Sequence, residues 1–243
     1  MNKKIEEFKE KNKGKDRIIG RPIRLNRQKL EFNKSGYTEI LFFGDCHIGY
    51  PTCNEEKIRS MLDYALKHRM YVLLMGDMLE AGMRDSVGDS VYKQKLHPQE
   101  QMERVLELIE PLAEQKLIIG MHEGNHENRI TKLTGIDITK VMCRLLDVPY
   151  LSYACWNLIT VVHKRYSIYS THGTSGSIME HTKLNAVVKL GKIISADIVA
   201  MGHTHGLATD IIIRQYFDGT KNRVVEDKQY VVLTGNYLEW DNS

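Results

Sequence analysis

Cysteine is scarce in this chain and spaced against crosslinking. Cys46, Cys53, Cys143 and Cys155 are the four in 243 residues, and they form no C-x-x-C pair. Neither a zinc knuckle nor a disulfide framework is implied, and a reducing cytoplasm is the simplest expected location. Long apolar runs are missing as well. No stretch approaches the length of a membrane span, and the N-terminus lacks the apolar segment of a signal peptide, so no membrane partner is expected. Internal repeats, low-complexity tracts and long linkers are also absent. One domain is the economical reading.

The composition that is present, 42% apolar and 27% charged, is ordinary for a globular protein, and the length suits one large α/β domain with a substantial core. The net charge of +3 is unevenly spread. Residues 1–36 hold 12 Lys/Arg against 5 Asp/Glu, a balance of +7, which leaves 22 against 26, or −4, for the remainder. Residues 1–17 read as a basic leader and residues 18–243 as the domain. Lys3 to Lys15 is dominated by charged and amide side chains, so a solvated leader is the plain reading, and contact with nucleic acid is the alternative. Ile18 to Phe32 is more apolar and reads as an arm or edge strand.

Apolar runs and helical spacings alternate along the rest of the chain. Tyr37–Phe43, Tyr71–Met75, Leu117–Met121 and Asp197–Met201 read as strands. Asn54 is placed to cap a helix with Glu55 and Glu56 in its first turn, and Ile58, Met61, Leu62, Ala65 and Leu66 share one face. Met102, Val105, Leu106, Ile109 and Leu112 mark a second helix, expected to kink or end near Pro111. Ile136–Leu146 and the stretch Leu184 to Ile194 have helical spacing. Asn157–Val162 and Tyr166–Ser170 read as a strand pair about a turn containing Lys164 and Arg165. Ala208–Phe217 and Val224–Thr234 read as a hairpin around Asp218-Gly219. The order predicts a layered α/β fold with mixed sheets and ligand-binding loops at the carboxyl ends of strands.

Five segments then stand out, each following an apolar run and each setting a metal-binding residue type beside glycine. They are Gly44-Asp45-Cys46-His47, Gly76-Asp77-Met78-Leu79-Glu80, Gly124-Asn125-His126-Glu127, Ser170-Thr171-His172-Gly173 and Gly202-His203-Thr204-His205. Hard oxygens and imidazoles suit divalent Mn, Fe or Zn. Asp77 is the natural bridge, since one carboxylate offers two oxygens. Asp45 and His47 are two apart and can face one ion, and His203 and His205, likewise two apart, project the same way if their turn is extended. Two such ions lower the pKa of a shared water and clamp phosphoryl oxygens during in-line attack. Phosphate-ester hydrolysis is the chemistry that asks for this arrangement. Cys46, between two proposed ligands, is expected to be a buried small hydrophobe. His68, His97, His122, His163 and His181 read as ordinary turn residues, although His122 and His181 lie near a motif. Glu127 is either a partner that orients the site or an acid favoured at a helix start.

The ordered set D-x-H, G-D-x-x-E, G-N-H-E, H-G and G-H-x-H resembles the calcineurin-like metallophosphoesterase superfamily across Asp45 to His205. The resemblance implies a sandwich of two mixed β-sheets flanked by helices, four layers in the order α-β-β-α, with a dinuclear centre. It implies one ion on Asp45, His47, Asp77 and His205, and a second on Asp77, Asn125, His172 and His203. Mn2+ is the expected metal, with Fe, Zn, Ni or Mg as alternatives. It casts His126 as the residue that contacts phosphate and protonates the leaving oxygen. Glu80 takes the position that orients His126, where Asp or Asn is common. Arg129 and Arg84 are candidates for gripping the substrate phosphate.

The stretch after Asp77 lacks the Asp-Arg-Gly continuation of the protein phosphatases in this superfamily, and only about forty residues follow the last motif. A phosphodiesterase acting on nucleotide diesters or nucleic-acid ends is therefore expected. The alternatives are a phosphomonoesterase or protein phosphatase, and a catalytically idle nucleic-acid-binding adaptor. No oligomeric state is implied.

Overall fold

The computed structural model describes residues 24–32, 36–83, 90–173 and 179–239. The proposed leader, residues 1–17, lies outside them, and so does Arg84. Two sheets stack face to face. The smaller contains β2 (Ile40–Phe43), β3 (Tyr71–Leu74), β4 (Ile118–His122) and β5 (Tyr150–Ser152), in that order and parallel throughout. The larger runs β1 (Arg24–Leu30), β6 (Ala154–Val161), β7 (Lys164–Thr171), β8 (Ile198–Met201), β10 (Arg223–Thr234) and β9 (Leu207–Asp218). Only this larger sheet is mixed, with antiparallel pairs at β6–β7 and β9–β10. The smaller departs from the expected mixture because helical segments return the chain between its strands, which forces parallel pairing.

Helices cover both outer faces. On the smaller sheet lie α1 (Glu55–His68), α3 (Pro98–Glu114), α4 (Asn125–Thr134) and α5 (Ile138–Leu145), with the short α2 (Ser90–Lys93) between α1 and α3 in the chain. On the larger lies α6 (Glu180–Ile193). The layers are therefore α-β-β-α. Ile58, Leu62 and Ala65 of α1 and Val105, Ile109 and Leu112 of α3 are buried against β2 to β4. Leu73, Met75, Ile119, Leu151, Ile159 and Ile168 fill the space between the sheets.

Local chemistry sets the helix ends. The Asn54 side chain accepts from the Lys57 N–H at 2.8 Å, and Arg69 closes α1 in the left-handed conformation. Pro98 opens α3, and the Glu100 carboxylate accepts the His97 N–H at 2.7 Å. α3 ends near Pro111 as expected, three residues beyond it at Glu114. Proline near the last turn forfeits one backbone bond, and the buried Ile109 and Leu112 on either side hold the helix against the sheet. Lys164 and Arg165 are the first residues of β7 rather than turn residues; Val161 pairs with Lys164, so the turn is Val162-His163. Both side chains are exposed at the sheet's end, which is why they resemble a turn in sequence. β1 pairs with β6 along its whole length, as an edge strand. No helix among the described residues is long and apolar enough to cross a membrane.

Candidate metal centre

All five glycine-flanked segments lie at carboxyl ends of strands, on one side of the sandwich. Asp45 and His47 follow β2, Asp77 and Glu80 follow β3, Asn125 and His126 open α4 after β4, His172 follows β7, and His203 and His205 follow β8. Asp45, His47, Asp77, His203 and His205 all have positive φ, between 48° and 66°. Asp and His tolerate this region better than most residues, yet it still costs energy, and clusters of such residues are typical of functional sites.

Glycines let the segments close together. A Cβ on Gly124 would sit 2.1 Å from Asp77 Oδ1, and one on Gly202 would sit 2.9 Å from Asp45 Oδ2. Glu127, buried in the first turn of α4, ties the turns to one another. Its carboxylate accepts the N–H groups of Gly124 (2.9 Å), Asp77 (3.1 Å) and Leu79 (2.9 Å). Both readings of Glu127 are thus realised: it opens a helix and it fixes the loop that carries Asp77. Gln101 is a site-supporting residue that the sequence reading missed. It is fully buried, accepts from the Ala81 N–H at 2.8 Å and so holds the loop after Glu80. The signal was present, because Gln101 falls on the same stripe as Val105, Leu108 and Leu112.

The donor atoms converge in two groups linked by a third. Asp45, His47 and His205 bring one ligand atom each within 4.8 Å of one another, so do Asp77, His172 and His203, and so do His47, Asp77 and His126, which share one residue with each. His47 Nε2 and His205 Nε2 face each other at 3.0 Å, with Asp45 Oδ1 3.6 Å from the latter. His172 Nε2 lies 2.9 Å from Asn125 Oδ1 and 3.2 Å from Asp77 Oδ2. Tautomers are set from behind. His172 Nδ1 is 2.9 Å from the Met75 carbonyl, which can only accept, so Nδ1 carries a proton and Nε2 is the nitrogen that a cation would take in place of a second proton. His47 Nδ1 is likewise held, 3.0 Å from Glu80 Oε2. Asp77 Oδ1 accepts the His126 N–H at 2.9 Å, while Asp77 Oδ2, buried between the groups, has no hydrogen-bond partner.

That orphaned oxygen tests whether the residues fit a cation. A buried carboxylate oxygen without a donor is costly, and so are two carboxylates, Asp45 and Asp77, in one dry volume. Burial, aided by Asp77, pushes Asp45 up to about 8. Burial works the same way on Asp77, but the surrounding His172, His126 and His47 outweigh it and hold this carboxyl below the usual range. Burial also opposes charge on His172, yet Asp77 lifts that imidazole to about 9. Divalent cations between the two groups would supply the missing positive charge directly. The residues fit them.

A calcineurin-like phosphoesterase family model matches residues 38–207, well over half the chain. The chain is a calcineurin-like phosphoesterase. As a member of that family it is a metal-dependent phosphoester hydrolase, and its candidate metal-binding clusters are formed by the residues named above. No curated protein matches this phosphoesterase closely enough to be compared with it.

Glu80 touches two histidines. Its carboxylate lies 3.0 Å from His47 Nδ1 and 3.3 Å from His126 Nδ1, and His126 Nδ1 also donates to the Glu80 backbone carbonyl at 2.6 Å. Arg129, one turn further along α4, places Nη2 3.0 Å from His126 Nε2 and Nη1 3.2 Å from the Glu80 carbonyl. His205, Arg129 and His126 form the partly exposed rim. Cys46 is buried in the core with Sγ 3.9 Å from Met78 Sδ.

The remaining histidines divide. His68 lies in the last turn of α1, His97 precedes α3, His163 is in the β6–β7 turn and His181 is exposed on α6. His122 is no turn residue. It is wholly buried at the end of β4, between the Ser152 carbonyl and the Ser170 hydroxyl, both at 2.7 Å.

Proposed function

We propose that this phosphoesterase is a phosphodiesterase whose two cations are held by Asp45, His47, Asp77 and His205 and by Asp77, Asn125, His172 and His203. Such ions activate a water and neutralise charge on the phosphoryl oxygens when bound. Mn2+ is the first metal to supply. The substrate class proposed is a nucleotide diester or a nucleic-acid end.

The observation that carries the diester preference is the Glu80 carboxylate between His47 and His126. Burial opposes its ionisation, but bonds from His126 and His47 draw it down to about 2, so it is charged at neutral pH. An anion beside the phosphate-contacting histidine penalises a dianionic monoester more than a monoanionic diester. The stretch after Asp77 reinforces this. Where the protein phosphatases of the superfamily carry an arginine to grip the dianion, this chain has Ala81, buried in the core.

His126 is the proposed acid for the leaving oxygen. Burial disfavours its charged form, but Glu80 and Asp77 outweigh burial and raise its pKa. Arg129 opposes them: a guanidinium donating to Nε2 requires that nitrogen unprotonated, so the proton and the Arg129 contact exclude each other. A phosphate that draws Arg129 onto its own oxygens frees Nε2 to take up the proton it later delivers.

The test is turnover of a bis-aryl phosphate against the mono-aryl ester with added Mn2+. The diester is expected to be the faster substrate. Faster monoester turnover would overturn the reading, and no turnover of either with metals bound would favour an idle adaptor.

A further inference from the structure

The β9–β10 hairpin extends the larger sheet beyond the cover of the smaller one. One of its faces packs on α6 through Ala208, Ile212, Val231 and Leu233. The opposite face points to the inter-sheet side, where Val232 reaches the core between the sheets. Further out that face carries Leu207, Ile211, Ile213, Phe217, Val224 and Tyr230, each 47–81% exposed, together with the exposed Lys228–Glu226 ion pair opposite Ile213 and Gln215. Among the described residues β9 is also the outer strand of the sheet. It is twelve residues long, pairs with β10 in unbroken register, and has no proline and no lysine. Long, regular edges of this kind join other strands unless something blunts them.

We propose that this edge and face form a two-fold interface with a second copy of the chain, β9 pairing antiparallel with the partner copy's β9 about Ile212. The β9 sequence is self-complementary in that register. Asp210 falls opposite Arg214, Ile211 opposite Ile213, Thr209 opposite Gln215 and Leu207 opposite Phe217. Ala208 falls opposite Tyr216, and the other paired positions meet partners of matching character. Sliding the pair two residues either way sets Asp210 against Ile212 or Tyr216 and loses the charge match. Backbone direction agrees. The Ile211 N–H is taken by the neighbouring Asp210 carboxylate at 2.8 Å rather than by β10, so it points outward, and alternation aims the Ile213 N–H outward too. Those are the groups that an added strand engages. Arg214 bonds the Gly191 carbonyl and the Gln229 side chain through one nitrogen, which leaves other donors for a carboxylate across the axis.

Sedimentation velocity on the full chain at micromolar concentration should give a species of twice the 28.1 kDa chain mass. Asp210→Arg, which sets arginine against arginine, and Ile213→Lys, which charges the edge, should each raise the dimer dissociation constant by about tenfold or more, with melting temperature and hydrolysis unchanged. Thr209→Cys combined with Gln215→Cys should form a disulfide-linked dimer under mild oxidation, while either alone should not, since the two sites meet only across the axis. A mass of 28.1 kDa throughout, or a dimer indifferent to both charge substitutions and uncrosslinked in the double variant, would overturn the proposal.

Discussion

The carboxylate of Glu80 lies 3.0 Å from Nδ1 of His47. This contact makes Glu80 a metal-affinity residue as well as a partner of His126. Removing the hydrogen-bond partner behind a ligating histidine typically costs about 10–100-fold in metal affinity. Glu80→Ala should therefore weaken Mn2+ binding by about tenfold or more. Glu80→Gln should recover part of the loss, because an amide oxygen still accepts from Nδ1–H. Isothermal titration with Mn2+ checks this. Unchanged affinity with reduced turnover would return Glu80 to the role of orienting His126.

Glu127 should matter more to stability than its place at a helix start suggests. Three backbone N–H groups point at its carboxylate, and a glutamine amide would turn donors towards at least one of them. Glu127→Gln should cost about 2–4 kcal/mol in urea unfolding and should loosen the Asp77 loop. A loss below about 0.5 kcal/mol, the level of an ordinary surface change, would show that these bonds carry little.

His122 should make the protein acid-labile. Burial lowers its pKa from 6.5 to about 4. The unfolded chain therefore takes up a proton near pH 6.5 that the folded chain refuses until about pH 4. Stability from this group is full above the first value and is lost as pH falls towards the second, up to about 3 kcal/mol. His122→Gln should be less stable than the parent at neutral pH yet lose less on acidification. Urea unfolding in chelator, so that metal release does not enter, measures both. Parallel pH profiles for the two proteins would contradict the assignment.

Much of the centre is legible in the sequence because each contributing segment is local. An apolar run announces a buried strand, and glycine with a donor residue announces the tight turn after it, as at Gly44-Asp45 and Gly202-His203. Cross-chain distances are not local. Nothing adjacent to Glu80 reveals that its extra methylene brings it within hydrogen-bonding distance of His47, 33 positions away. β5 was not anticipated because three residues, Tyr150–Ser152, are too few to show a period. Pro111 is the reverse case: a strong local rule places the helix end near it, and α3 stops three residues later at Glu114.

Everything in the proposed chemistry depends on two cations sharing Asp77, whose Oδ2 is buried without a hydrogen-bond partner. Electron paramagnetic resonance of the Mn2+-loaded protein tests that most directly. Two ions per chain with an exchange-coupled spectrum are expected, and Asp77→Asn should abolish the coupling while Asn125→Ala leaves one uncoupled ion. A single uncoupled Mn2+ in the parent, or coupling that survives Asp77→Asn, would contradict the account.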